Sequence, residues 1–329
     1  MKTPKLPKIE KEFKKLKEVI QISKTFFLAG HLNPDGDTIG SMLAFHSMLS
    51  RMDKKIYLFS QDPVPDNLSF LRHSKCIKNR LPAKINEIDT AILLECSTPD
   101  RAGNIKEVLS KSKTIVNIDH HKTAKIYGDI NIIDHYSSST AEIIYRFFYD
   151  IKLKVNKLEA SYLYTGIVTD TGRFHFPSTG PRTHEIASRL LETGFDFSRI
   201  NDFIYSKKAY ESIKLMGRAF ESLKIINGNI STMTLELKDF KDFNASNEHS
   251  ENIINYGMMI PSIKVSVLFK EEESNKISVT FRSKGNIDVS KIAYKFSGGG
   301  HKHASGCKLN TDLNTAKEIV IRDLIPLIK

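Results

Sequence analysis

The chain has 329 residues, 40% of them hydrophobic and 26% charged, which leaves room for two domains and excludes a disordered or fibrous protein. No apolar run approaches the ~20 residues a membrane-spanning helix needs, and the basic stretch 1–17 lacks the apolar core of a secretory signal, so neither a membrane protein nor a secreted one is expected. The net charge of +11 draws polyanions, but no dense Lys/Arg block points to duplex DNA as the main ligand. Three distant cysteines without a CxxC pair exclude a thiolate zinc site and a disulfide framework and fit the cytoplasm.

In chain order, the stretch 1–17 reads as an amphipathic, Lys-rich first helix. Short apolar runs at 25–30, 55–60, 90–95 and 114–118 read as strands. Helical spacing of apolar residues covers 38–52, 138–151, 157–169 and 181–193. Ser137 to Ser139 offer N-caps, Pro181 suits a first helical turn, and Gly194 stops the helix before it. This alternation predicts an α/β domain with a parallel sheet and flanking helices over 1–196. Residues 197–221 read as a helical connector, and 222–329 as a smaller α/β domain. In the latter, 230–237, 263–269 and 277–282 read as strands, 252–259, 289–296 and 315–328 as helices, and 271–275 as a hairpin tip.

Four constellations carry chemistry. After the first strand comes His31-Leu32-Asn33-Pro34-Asp35-Gly36-Asp37, where Pro34 and Gly36 force a tight path that lets two carboxylates enter one cavity. The bland alternative is a polar turn with an Asx cap. Glu95 closes the third strand, and Asp119-His120-His121 follow the fourth. Asp119 either ligates or orients His120 as an outer partner. In a parallel sheet all three clusters lie beyond the carboxyl ends of the strands, where ligands bind. Together they hold enough ligands for two divalent ions, a device for cleaving phosphate esters. Asp170, at the end of a helix, would be a mere turn residue if it stood alone, but it supplies a carboxylate that a second ion lacks. Finally, Gly298-Gly299-Gly300-His301 reads as a backbone nest for an anion, with His301 and Arg282 to clamp a phosphate or stack on a base.

These pieces, in this order, resemble the DHH phosphoesterase superfamily, and within it the branch that joins a DHH domain to a Gly-rich associated domain. That branch includes nanoRNases, 3′-phosphoadenosine-5′-phosphate (pAp) phosphatases and stand-alone cyclic di-AMP phosphodiesterases. The resemblance spans nearly the whole chain. It rests on the motifs above together with Ser138-Ser139-Thr140-Ala141-Glu142 and Thr169-Asp170-Thr171-Gly172-Arg173-Phe174. It implies that His31 and Asp35 hold one ion and that Asp37, His120 and Asp170 hold the other. Manganese is the expected metal, with magnesium second. The family bridges the ions with an Asp, where this chain has Glu95, and Arg101 stands at the family's distance beyond it. Glu95→Asp is therefore expected to leave activity equal or higher. Ser297 replaces a family Gly, which is tolerated unless its φ is positive.

The implied activity is metal-assisted hydrolysis of linear dinucleotides and short oligoribonucleotides (nanoRNA, pApA), with pAp dephosphorylation beside it. His121 would contact a phosphate or protonate the leaving oxygen, Arg101 would clamp charge, and Arg282, Gly298, Gly299, Gly300 and His301 would grip the distal nucleotide. Opening of cyclic di-AMP is the alternative within the same chemistry. A pyrophosphatase shares the N-terminal ligands but has no use for the glycine segment. A nucleotide-binding protein with an impaired metal site is the rival favoured by Glu95. The family also implies a homodimer.

Overall fold

A computed structural model describes residues 9–81 and 87–328. The chain forms two compact units, Met1–Lys207 and Lys208–Lys329. The basic first helix runs as α1, Glu10–Ile22, and the part of that expected helix in 1–8 lies outside the described residues.

In the first unit five parallel strands pair in the order β2-β1-β3-β4-β5. They are β1 (Thr25–Ala29), β2 (Lys55–Phe59), β3 (Ile88–Leu94), β4 (Ser112–Asp119) and β5 (Ile130–Ile133). The chain leaves β1 for one neighbour, β2, and later returns on its other side as β3. The crevice between β1 and β3 is therefore the topological switch point, where such sheets bind ligands. Successive residues of the central strands enter two different cores. Phe26, Leu28, Ile92 and Leu94 face one, while Phe27, Ala29, Ala91 and Leu93 face the other. Each fully buried Phe, Leu or Ile among them stabilises the fold by roughly 1.5–3 kcal/mol. Burial on both faces explains why these strands read as continuous apolar runs. β5 escapes that reading because Asn131 interrupts a four-residue strand.

The larger core is built with α1, α2 (Gly36–Ser50), α4 (Thr140–Asp150), α5 (Lys157–Asp170) and α6 (Pro181–Leu191), and a short α3 (Lys106–Ser110) adds Val108 to the smaller core. Ser139 caps α4, and an Asn156/Glu159 capping box opens α5. Glu159 is wholly buried, and Arg51 donates to both of its oxygens at 2.9 and 3.0 Å. Helices α2 and α5 approach closely at two glycines. A Cβ on Gly40 would lie 2.4 Å from the Tyr162 carbonyl oxygen, and one on Gly166 would lie 2.5 Å from Asp37 Oδ1.

The segment 197–221 divides between the units. It comprises α7 (Phe197–Asn201), a π-helical turn over Asp202–Ser206, and α8 (Tyr210–Glu221). The second unit carries a mixed sheet in the order β10-β11-β9-β8-β7-β6. Its strands are β6 (Lys224–Ile226), β7 (Ile230–Leu235), β8 (Val265–Glu273), β9 (Lys276–Ser283), β10 (Gly299–His301) and β11 (Ala304–Leu309), and only β7 and β8 run parallel. Its later helices are α9 (Leu237–Asp242), α10 (Ile254–Gly257), α11 (Ser290–Lys295) and α12 (Leu313–Leu324).

Three readings of this unit need correction. The strand expected over 230–237 stops at Leu235, because Glu236 caps α9 with Asp239. The helix expected over 252–259 shrinks to α10. The glycine segment is the hairpin arm β10 paired to β11, not an irregular nest, and its glycines answer to backbone crowding. A Cβ on Gly298 would sit 2.2 Å from the Gly306 carbonyl oxygen, and one on Gly300 would meet Ser305 Cα at 2.5 Å.

The same substitution should act with opposite sign at two glycines. Gly40→Ala overpacks the α2–α5 contact and should cost about 1–3 kcal/mol. Gly217→Ala, on the exposed face of α8 with nothing within 4 Å of its Cβ among the described residues, should stabilise by about 0.5–1 kcal/mol. Urea unfolding followed by circular dichroism reads both.

Candidate metal centre

The loop after β1, the residue after β3 and the end of β4 meet at the switch point. His31, Asp35 and Glu95 form one group whose ligand atoms lie within 4.8 Å of one another; Asp37, Glu95, His120 and Asp170 form a second, and Glu95, His120 and His121 a third. Glu95 belongs to all three. Its Oε1 lies 3.2 Å from His120 Nε2 and its Oε2 lies 3.7 Å from His31 Nε2.

Both imidazoles are held the same way. The Nδ1–H of His31 donates to the Leu32 carbonyl at 2.7 Å, and that of His120 donates to the Ser137 carbonyl at 3.3 Å. Each ring therefore turns Nε2, as a free ligand atom, toward the carboxylates. Asp35 does two things at once. Its Oδ1 caps α2 by accepting from Thr38 N at 2.9 Å, and its Oδ2 faces His31 Nε2 at 3.7 Å. The Asx-cap reading and the ligand reading are thus compatible. Asp37 is fully buried and accepts the first two amides of α4, Thr140 N at 2.6 Å and Ala141 N at 2.9 Å. Those donors belong to a helix terminus that lacks intrahelical partners and carries positive charge. Asp170 Oδ2 lies 3.1 Å from His120 Nε2.

The residues fit divalent ions. Glu95 Oε1 and His120 Nε2 are buried yet have no hydrogen-bond partner in proper alignment among the described residues, a costly state that a bound cation relieves. Electrostatics agree. Burial and the negative charges of Glu95 and Asp170 push the Asp37 carboxyl well above its ordinary value. Burial and Glu95 raise Asp170 to about 7. Burial opposes ionisation of Glu95 too, but His120 and His31 outweigh it and hold this carboxyl well below the usual range. Burial likewise opposes charge on the two histidines, yet Asp35 and Glu95 take His31 up to about 10 and Glu95 takes His120 up to about 9. Protons on imidazole stand where cations are wanted.

Three expectations change. Asp119 orients His121, not His120: its Oδ1 accepts from His121 N at 2.9 Å and from His121 Nδ1 at 2.8 Å, because the two residues share one tight turn at the end of β4. Ser297 sits at φ +57°, in the left-handed region where its side chain is strained. Glu95 itself has φ +60°, and Thr38 Oγ1 donates to its Oε2 at 2.8 Å. These contacts suit the longer side chain, so the expectation for Glu95→Asp reverses. After Asp170, Gly172, Arg173 and Phe174 are all left-handed, a strained turn of the kind found beside functional sites.

Arg101 lies in the 3₁₀ turn Pro99–Ala102; its carbonyl accepts from Leu32 N at 2.6 Å, and its exposed guanidinium makes no hydrogen bond or ion pair among the described residues. In the second unit, register places His301 opposite Ala304 and Ala304 opposite Arg282. His301 and Arg282 thus share one sheet face with only a methyl between them. Sequence reasoning missed Thr38, Ser41 (which donates to Asp37 Oδ1 at 3.3 Å) and the Ser137 carbonyl. None has a local signature. Only the Ser139-x-x-Glu142 capping pattern marks the region.

The DHH family, N-terminal domain, matches residues 25–167, and the DHHA1 domain matches residues 227–324. The chain is 29% identical over 318 residues to the probable bifunctional oligoribonuclease and PAP phosphatase NrnA of Streptococcus mutans, covering 96% of this chain and 99% of that protein. It is 30% identical over 337 residues to the uncharacterized protein MG371 of Mycoplasma genitalium, covering 96% and 95%. The solved structure of an exopolyphosphatase-related protein from Bacteroides fragilis matches with a TM-score of 0.85 at 24% identity, over 99% of this chain and 100% of that one, a likeness of fold. Two domains matched in the expected order, within similarity that runs the length of the chain, place it in the DHH phosphoesterase superfamily, in the branch that joins a DHH domain to a DHHA1 domain.

Proposed function

We propose that this phosphoesterase hydrolyses linear dinucleotides and short oligoribonucleotides, and pAp to AMP, with two manganese ions. The observation that carries this reading is the sharing of Glu95 between ligand groups at the switch point, and the name of the Streptococcus mutans relative supports the substrates. His31, Asp35 and Glu95 would hold one ion; Asp37, Glu95, His120 and Asp170 would hold the other. Carboxylates with imidazole suit Mn²⁺ or Mg²⁺ rather than thiophilic metals. Bound there, such ions neutralise charge on phosphoryl oxygens and lower the pKa of an attacking water.

The chain's own groups do the rest. His121 gives Nδ1–H to Asp119, which raises the imidazole pKa and leaves Nε2 of this half-exposed ring to donate a proton to the leaving oxygen. Arg101 offers a guanidinium, unpaired among the described residues, for developing charge. Arg282 and His301, on one sheet face, would grip the distal phosphate or base. Three free cysteines favour a reducing cytoplasm. A homodimer belongs to the same reading, and light scattering checks it.

Purified protein with Mn²⁺, offered pAp, pApA, a five-nucleotide RNA, cyclic di-AMP and pyrophosphate side by side, should turn over the first three fastest. The variant with Asp119→Ala and His120→Ala should lose at least ~10³-fold. Preference for cyclic di-AMP would reassign the substrate, and tight nucleotide binding without turnover would favour a binding protein. Glu95→Asp withdraws the shared carboxylate from Thr38 and His120 and should lower kcat by about tenfold or more at saturating metal.

Metal binding should also depend on pH. Ligation must displace the protons that keep His31 and His120 charged up to about 10 and 9, and the one that Asp170 loses near 7. Affinity for Mn²⁺ should therefore climb as pH rises from 6 to about 8 with release of protons. Calorimetry in buffers of different ionisation enthalpy counts them, and a flat affinity would contradict the assigned ligands.

A further inference from the structure

The short segment 137–142 reaches two ligand candidates at once. The Ser137 carbonyl orients His120, and the Thr140 and Ala141 amides hold Asp37. What fixes that segment is a buried network that contributes no atom to the ligand groups. Glu142, 1% exposed, accepts at Oε2 from Ser138 N (3.3 Å), Ser138 Oγ (2.7 Å) and Thr183 Oγ1 (2.9 Å), and at Oε1 from Arg182 Nε (2.6 Å). Arg182 then spans back to the start of the segment. Its Nη2 donates to the Tyr136 carbonyl at 3.1 Å and to Ser137 Oγ at 3.2 Å. Ser137 Oγ in turn donates to the buried Asp134 at 2.9 Å, which Arg146 also engages.

We infer that Glu142 and Arg182 are positioning residues for the metal centre: their partly buried ion pair locks segment 137–142 so that His120 and Asp37 stand ready to ligate. This rests on the two-ion reading above. The geometry favours it over a plain brace between α4 and α6. A brace needs only the contact between Arg182 and Glu142. Here the guanidinium also grips Tyr136 and Ser137, next to the carbonyl that turns His120, and the carboxylate grips Ser138, two residues before the amide that holds Asp37. Shifting the segment moves an imidazole and a carboxylate together. Outer partners of this kind typically govern metal affinity by about 10–100-fold.

The test is calorimetric Mn²⁺ binding to folded protein, well below its unfolding midpoint, for the wild type, Glu142→Gln and Arg182→Lys. Glu185→Gln, on the exposed face of α6, is the control. Glu142→Gln keeps the shape but removes the charge, and Arg182→Lys keeps the charge but removes the fork. Both should bind Mn²⁺ about 10–100-fold more weakly, while the control is unchanged. KM for pApA at saturating Mn²⁺ should stay within about twofold, because neither residue is placed to touch substrate. If the unfolding midpoint falls while folded variants bind Mn²⁺ as tightly as wild type, the network is only a brace and the inference is wrong. If the wild type binds no Mn²⁺, the functional reading itself fails, a distinct result. Should Glu142→Gln not fold, Thr183→Val removes a single donor to Glu142 and should still weaken binding several-fold; undiminished affinity in that variant and in Arg182→Lys would overturn the inference.

Discussion

Asp37 and Glu95 are buried, Asp170 is partly so, and all three present oxygens within 4.8 Å of one another beside His120. Their mutual repulsion is the constraint around which the first unit is organised. Carboxylates taken out of water raise their pKa or find positive charge. The chain supplies that charge in graded form. Asp37 takes backbone amides at a helix terminus, Glu95 takes two imidazoles, and Asp170 shares one of these and keeps a pKa near 7. None of these arrangements exhausts the donors. Among the described residues Glu95 Oε1 and His120 Nε2 stay unsatisfied, so the centre is preorganised for cations rather than sealed against them.

Bringing the carboxylates together demands close backbone approach. Gly166 leaves room for Asp37 between α2 and α5, and Gly36 leaves room for Thr169, one residue before Asp170. The left-handed conformations of Glu95 and of the turn after Asp170 are part of the same geometry. A non-glycine residue pays for such a conformation with strain of the order of 1–3 kcal/mol, which persists only where surroundings over-determine it. At Glu95 those surroundings are Thr38 and the two histidines. Glu at the position where the family resemblance implies Asp is therefore compatible with this geometry. The longer side chain reaches His31 on one side and His120 on the other from a strained backbone.

The second unit applies different physics. Its glycines 298 and 300 permit two backbones to pack as a hairpin, and the hairpin lays His301 beside Arg282 across Ala304. The face of this hairpin therefore carries side chains set by strand register rather than a concave nest of amides. The two units match the division into a DHH domain and a DHHA1 domain.

The sequence alone determined the parallel α/β class, because strands buried on both faces must be apolar throughout and helices between them must be periodic. It also marked His31, Asp35, Asp37, Glu95 and the Asp119–His121 cluster, because polar residues that end apolar strands must gather at one sheet edge. It could not reveal that Asp119 serves His121, that Thr38 and the Ser137 carbonyl steer the ligands, or that Glu142 and Arg182 lie behind them. Those relations join residues distant in the chain through backbone groups that every sequence contains, so only the tertiary path decides them. The short strands β5, β6 and β10 were illegible for a related reason: their pairing is long-range, and three or four residues carry too little periodicity to announce it.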